Sequence, residues 1–396
     1  MNSSDNIPVS NFVKGFYDAA AQDRGNISLS QRKKSRIYYM RNLNNWIKGS
    51  LIARHIDLTF EKKHKSDVNV LDFCCGKGGD QKKWQVGRVG HVTFVDISSS
   101  SIDICRERYE TLRSKDGRRV LYSADFIVHD CTTPLKLDRF YSIVNCQFAL
   151  HYAFESIEKA RTMLQNGSQA LEVGGYFLIT VPNAYEIIRR LQQSEDKRSF
   201  GNSVYKITFD EPFVDVNQPP ALFGARYHFH LEDVVDCPEY LVYPPLLVAM
   251  AKEVSLQCVQ GPTPFADFFK KVTSDSRSEG MDLLRTMDAL ESWFPPEESL
   301  LTLDSFPHGR SDRRRSPIGS QDLNGVRRDR SRSPMQEYGS RSLVAKDEPG
   351  AYRYVEEKQD RLRLPVGTIS FPEWEAFCTY CVFVFKKVAT SNNVII

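Results

Sequence analysis

The sequence predicts an α/β protein: a doubly wound, mostly parallel sheet with N-terminal helices and a disordered insertion before the last strands. Three observations carry this reading. Short apolar runs alternate with helix-length amphipathic stretches between residues 68 and 181. The first apolar run leads into a glycine turn, Cys74-Cys75-Gly76-Lys77-Gly78-Gly79-Asp80. Large apolar residues become scarce over 307–348, where arginine and serine take over.

Residues 1–25 are read as a flexible polar tail, and 26–396 as one domain interrupted by 307–348. Ile37, Met40, Leu43, Trp46, Ile47 and Leu51 recur at helical spacing within a basic, aromatic stretch, so one or two amphipathic helices dock there. Strands are predicted at 68–73, 91–96, 120–126, 141–146 and 176–181, each short, apolar and bounded by turn residues. Helices over 99–113 and 156–171 fall between them. Gly174-Gly175 reads as a helix stop and Pro182-Asn183 as a strand end. Strands alternating with helices give a parallel sheet whose ligands sit at the strand carboxyl ends. Order is expected to return at Tyr352, with a last helix and strand between Leu364 and Phe385.

The insertion contains Arg313-Arg314-Arg315-Ser316-Pro317 and Arg330-Ser331-Arg332-Ser333-Pro334, with too little apolar surface to offset its ordering entropy. Its Ser-Pro steps suit phosphorylation, which would make a basic tether nearly neutral; a passive charged loop is an equal reading. The net charge is only +3, so affinity for nucleic acid must come from local clustering. No N-terminal apolar segment reads as a signal peptide, and Pro244-Pro245 break the apolar run over 240–250, so an intracellular protein without a membrane span is expected. Nine scattered cysteines suit reduced, buried thiols. Cys378 and Cys381 form a lone C-x-x-C without a second pair, and no metal site is expected.

Glycines at a strand end let the backbone approach a ligand closely, and Asp96, about twenty residues on, stands where ribose hydroxyls can donate to it. A dinucleotide fingerprint would need glycine at Gln81, and a phosphate loop would need serine or threonine after Lys77, where Gly78 stands. Asp72 at the end of the first strand would repel a pyrophosphate. S-adenosylmethionine, cationic and without phosphate, suits these two acids; an ordinary βα turn is the bland alternative.

Arg36-Ile37-Tyr38-Tyr39-Met40-Arg41-Asn42-Leu43-Asn44-Asn45-Trp46-Ile47-Lys48, the loop 70–80, Gln147-Phe148-Ala149-Leu150-His151-Tyr152, Val181-Pro182-Asn183, Pro238-Glu239-Tyr240 and Glu373-Trp374-Glu375-Ala376 follow one another across residues 26–387. On these stretches the chain resembles the messenger RNA cap guanine-N7 methyltransferases. The glycine loop alone indicates only a methyltransferase; Asn-Asn-Trp-x-Lys together with Gln-Phe-x-x-His-Tyr is far more specific. The resemblance implies a class I S-adenosylmethionine-dependent methyltransferase fold, transfer of methyl to N7 of capped nascent RNA, and a nuclear location. It also implies partners among other capping enzymes, RNA polymerase II or an activating subunit. One departure stands out: Cys74 occupies a position that is usually glycine in this family. The alternatives are a methyltransferase for another substrate, or an inactive cap-binding adaptor whose cofactor pocket Cys74 spoils.

For the cofactor, physics and resemblance together point to Asp96 for the ribose, Asp130 for the adenine amino group and Gly76 for the methionine end, with Asp72 flanking the turn. The resemblance adds Lys48 for the methionine carboxylate, and Gln147 and Tyr152 as pocket walls. For the capped RNA it implies Asn44, Asn45, Lys77, Lys83, Arg108, His151, Glu239 and Tyr380. Charges on helix faces are more often merely solvated, and a lone histidine beside a strand is more often structural. No catalytic acid or base is expected, because guanine N7 has an in-plane lone pair and no proton to lose.

Overall fold

Strand β1 (Asn69–Phe73) is buried on both faces over its last four residues, as a central parallel strand must be. The computed structural model describes residues 14–19, 32–64, 67–115, 121–212, 219–274, 279–291, 352–359 and 362–389; the predicted insertion over 307–348 lies outside them. Strands β2 (His91–Asp96), β3 (Ser123–Val128), β4 (Tyr141–Gln147) and β5 (Leu171–Pro182) fall where the apolar runs placed them, with ends shifted by a few residues. Polar side chains inside β2 pair with one another: Thr93 Oγ1 lies 3.0 Å from His91 Nε2 and 2.9 Å from the Tyr141 hydroxyl.

Helices Ser99–Lys115 and Ile157–Ala170 connect the strands as expected, the second capped by the Ser156 hydroxyl accepting from Lys159 N–H. Gly174-Gly175 is not a helix stop. The helix ends at Ala170, and Gly174, at φ +88°, lies within the long strand β5.

The sequence reading did not foresee a second sheet. Strands β6 (Ser199–Gly201), β7 (Tyr205–Phe209), β8 (Arg226–Leu231) and β9 (Val235–Tyr240) form an antiparallel four-stranded meander. Strand β8 alternates strictly between exposed and buried residues, so Tyr227, Phe229 and Leu231 face inward. Strand β10 (Leu256–Pro264), also unforeseen, follows helix Pro244–Glu253, whose prolines start a helix. Strands β11 (Tyr352–Gln359) and β12 (Leu362–Ser370) pair as an antiparallel hairpin in a separate unit, residues 291–371. Helix Phe371–Phe377 and strand β13 (Tyr380–Lys387) close the chain's main sheet.

That sheet runs β10-β13-β5-β4-β1-β2-β3. Its pairs are parallel from β5 to β3, while β13 is antiparallel to both β5 and β10. The connection order reverses between β1 and β4, where Phe73 pairs with Cys146, and such a switch point opens a crevice beyond the strand ends.

The long helix Tyr38–Phe60 buries Met40, Leu43, Trp46, Ile47 and Leu51, the stripe read from sequence. Trp46 anchors it, donating from Nε1 to the Gly280 carbonyl at 2.7 Å with its ring edge-on to Phe269. Residues 14–19, within the stretch read as a flexible tail, form a short helix instead. Tertiary contacts hold it: Ser98 Oγ donates to Asp18 at 2.5 Å, and the Tyr17 hydroxyl lies 3.2 Å from that of Tyr152. Among the described residues, no helix is long and apolar enough to cross a membrane.

Candidate functional site

The ends of β1 to β4 enclose a cavity of about 230 Å³ at the switch point. Its walls are Cys74 to Gly76 after β1, Asp96 and Ile97 after β2, Asp130 to Thr132 after β3, and Gln147 to Ala149 after β4, with Tyr152 and Tyr17 across the mouth. Of the residues expected to hold a cofactor, Gly76, Asp96, Asp130, Gln147 and Tyr152 line this space, whereas Lys48 and Asp72 do not.

The turn after β1 needs its glycines. Gly76 has φ +52°, and a Cβ there would meet nothing within 4 Å, so open space adjoins the bare backbone. Gly78, at φ +69°, has no such room: a Cβ would lie 2.5 Å from Gln81 Nε2 and 2.7 Å from Cys105 Sγ. Asp96 braces the turn, accepting from Gly76 N–H at 2.8 Å and from Ser98 N–H at 2.9 Å. Burial, and then the neighbouring Cys74, push its carboxyl up to about 7. A carboxylate can accept further hydrogen bonds beyond these two.

Asp130 binds Thr132 N–H and Oγ1–H through its Oδ1 alone, at 2.9 and 2.7 Å. Gln147 donates to Asn145 Oδ1 at 2.7 Å, while its own Oε1 is buried with no hydrogen-bond partner among the described residues. A buried acceptor left unpaired costs free energy unless a ligand satisfies it.

Asp72 is a foundation under the turn. Asn145 Nδ2 donates to one of its oxygens at 2.7 Å and Trp84 Nε1 to the other at 3.2 Å. Burial, reinforced by the Asp80 charge, pushes its carboxyl up to about 7. Asp72→Ala strands two buried donors, and a loss of about 2 kcal/mol in urea denaturation is expected after allowing for relief of the buried acid. An unchanged midpoint would show that neither bond matters.

Lys48 meets Asp80 instead of the cavity, its Nζ 2.9 Å from Oδ1, and Lys83 Nζ reaches the same oxygen at 2.7 Å. Burial works against the Asp80 charge, but the two ammonium groups outweigh it and hold the carboxyl well below the usual carboxylate range. The three side chains together keep one surplus positive charge. Asn45 accepts from Lys83 at 3.4 Å, and the neighbouring Asn44 has its Oδ1 buried without a hydrogen-bond partner among the described residues. Arg108 donates to the Lys77 carbonyl at 2.8 Å and caps the turn from the other side.

A buried polar group adjoins the cavity through Tyr152, whose hydroxyl lies 3.3 Å from Cys237 Sγ on β9. Two residues further along β9, Glu239 is 4% exposed and accepts from the Tyr227 hydroxyl at 2.9 Å. His151, 1% exposed, places Nε2 3.3 Å from Glu239 Oε1 without the alignment of a hydrogen bond, and its Nδ1 has no hydrogen-bond partner among the described residues. Tyr380 packs edge-on against Phe148. Burial, followed by the nearby Glu239, raises its hydroxyl well above the ordinary range. His151, Glu239 and Tyr380, expected from separate parts of the chain, thus meet beside the cavity.

Tyr17, Phe148 and Cys131 line the cavity and were missed. The aromatic pair Phe16-Tyr17, with Phe12 and Val13 just before it in a mainly polar leader, was the available signal for the first of them.

A family model described as "mRNA (guanine-N(7))-methyltransferase domain" matches residues 1–388. The mRNA cap guanine-N(7) methyltransferase of Drosophila melanogaster is 36% identical over 367 residues, covering 90% of this chain and 73% of its own. The Caenorhabditis elegans enzyme of that name is 33% identical over 369 residues, 91% of this chain and 83% of its own. Methyltransferase 1 of that name from Oryza sativa subsp. japonica is 38% identical over 274 residues, 67% of this chain and 71% of its own.

Proposed function

The chain belongs to the mRNA (guanine-N(7))-methyltransferase family and methylates the mRNA cap at guanine N7 from S-adenosylmethionine, and from that premise we propose how its cleft divides the work. The cavity at the switch point takes the cofactor, and the buried group His151, Glu239 and Tyr380 beside it recognises the guanine. The observation that carries this division is a buried His151 with both ring nitrogens unbonded, next to a buried carboxylate and one residue from a wall of the cavity.

The cavity's donors and acceptors fit S-adenosylmethionine. Ionised Asp96 accepts from the ribose hydroxyls, and Asp130, with Oδ1 committed to Thr132, offers Oδ2 to the adenine amino group. The unpartnered Oε1 of Gln147 suits the cofactor's ammonium, and the surplus charge around Asp80 places Lys48 to attract its carboxylate. Ile97, Phe148 and the bare backbone at Gly76 supply flat, close walls.

When bound, the cofactor supplies an electrophilic methyl on sulfur. Glu239 accepts from guanine N1–H and the N2 amino group, a pattern adenine lacks, and His151 donates to the base or its ribose. Tyr380 and Tyr152 wall the base in. Lys77, Lys83, Arg108, Asn44 and Asn45 surround the glycine turn and face the triphosphate. Because N7 has no proton to lose, these residues accelerate the reaction by aligning the nucleophile and excluding water. For an enzyme acting on nascent mRNA, a nuclear location and partners among other capping enzymes, RNA polymerase II or an activating subunit are expected.

The test is transfer of labelled methyl to short GpppA- or GpppG-ended RNA, with nuclease release of the cap. Label on N7-methylguanosine is expected. Capped-RNA binding without transfer would favour an inactive adaptor.

A further inference from the structure

Three thiols from different elements come together beside the cofactor cavity. Cys74 follows β1, Cys131 follows β3, and Cys146 lies in β4 beside Phe73. Cys74 and Cys131 both line the cavity, and Cys74 packs against the buried cluster that contains Cys131 and Cys146. Cys131 and Cys146 are 4% and 0% exposed. Cys74 sits at φ +52°, a left-handed conformation that glycine adopts freely and other L-residues rarely do. This chain therefore bears strain at the position whose sulfur completes the group.

We propose that Cys74 and Cys131 form a peroxide-sensitive thiol pair whose oxidation competes with cofactor binding. Contacts with the Cys131 and Cys146 thiols hold the Cys74 thiol well below its ordinary range against the opposing effect of burial, and raise those of its two partners. The thiolate is the reactive form, so Cys74 is the attacking sulfur. It attacks one oxygen of hydrogen peroxide; the O–O bond breaks, the departing hydroxide takes a proton to become water, and Cys74 becomes a sulfenic acid. The Cys131 sulfur then attacks the Cys74 sulfur, an S–S bond replaces the S–O bond, and the Cys131 proton leaves with the hydroxyl as a second water. Two thiols lose two electrons in total, and one peroxide gains them. The disulfide joins the turn carrying Gly76 to the turn carrying Asp130, both of which line the cavity.

The competition rests on the cavity being the cofactor site; the cross-link itself does not. The full chain is treated with hydrogen peroxide with and without S-adenosylhomocysteine, whose binding is measured separately by calorimetry, and is then alkylated and mapped by mass spectrometry. A Cys74–Cys131 cross-link is expected, reversed by dithiothreitol and slowed about tenfold at ten times the measured Kd. The cross-link should be absent from Cys74→Gly, a residue the backbone there accommodates. In Cys131→Ser, dimedone should trap a sulfenic acid on Cys74. A cross-link to another cysteine, oxidation undiminished in Cys74→Gly, or no protection by a ligand shown to bind would each overturn the proposal. A ligand that fails to bind at all would count against the cofactor reading alone, and the cross-link would still decide the thiol pair.

Discussion

Asp96→Ala is expected to lower cofactor affinity on the order of 10²- to 10⁴-fold, since it removes two hydrogen bonds to a charged acceptor at about 1.5–3 kcal/mol each. Two backbone donors, Gly76 N–H and Ser98 N–H, lose their acceptor as well, so the turn shifts along with the missing carboxylate. Calorimetric titration with S-adenosylhomocysteine reads the effect. In the unsubstituted chain the same carboxyl makes affinity pH-dependent. Its pKa is raised to about 7 while the ribose hydroxyls need the ionised form, so affinity rises as pH climbs through 7 and levels off above. Stability of the ligand-free protein moves the opposite way. A raised acid binds its proton more tightly folded than unfolded, so the contribution of Asp96 to stability falls from about pH 4 to about pH 7. Affinity and ligand-free stability changing in the same direction across this window would remove Asp96 as the group responsible.

Glu239→Ala is expected to leave cofactor affinity within about threefold while kcat/KM for capped RNA falls on the order of 10²- to 10³-fold, the loss of roughly two charged hydrogen bonds to guanine. The separation of the two effects is the point. Glu239 does not line the cofactor cavity, and its link to that space runs through Cys237 and Tyr152. If both variants lost cofactor affinity equally, the division of the cleft would fail. Glu239→Gln keeps the volume but turns one acceptor into a donor facing the guanine amino group, so it should resemble the alanine variant in capped-RNA turnover.

The sequence by itself determined the central sheet, the glycine turn and the family, because these depend on local signals: apolar runs, turn glycines, and residues a few positions apart such as Asn45 and Lys48. Tertiary structure alone decided how the polar groups were shared. Lys48 and Asp80 are 32 residues apart in the chain, and nothing local indicates that their ion pair holds the lysine outside the cavity. Asp72 stands at the strand tip that sequence marks for a ligand, yet Asn145 and Trp84 occupy both its oxygens. The alternation of Arg226-Tyr227-His228-Phe229-His230-Leu231 is a strand signal that the sequence reading passed over, and nothing local tells that its partner β9 delivers Glu239 to His151. Tyr17 reaches Tyr152 across 135 residues, and Cys74 meets Cys131 only because β1 and β3 end at one edge of the sheet. Periodicity records which face of an element is buried; which distant side chain meets it there depends on how the whole chain closes, since buried polar groups must find partners wherever the fold brings them.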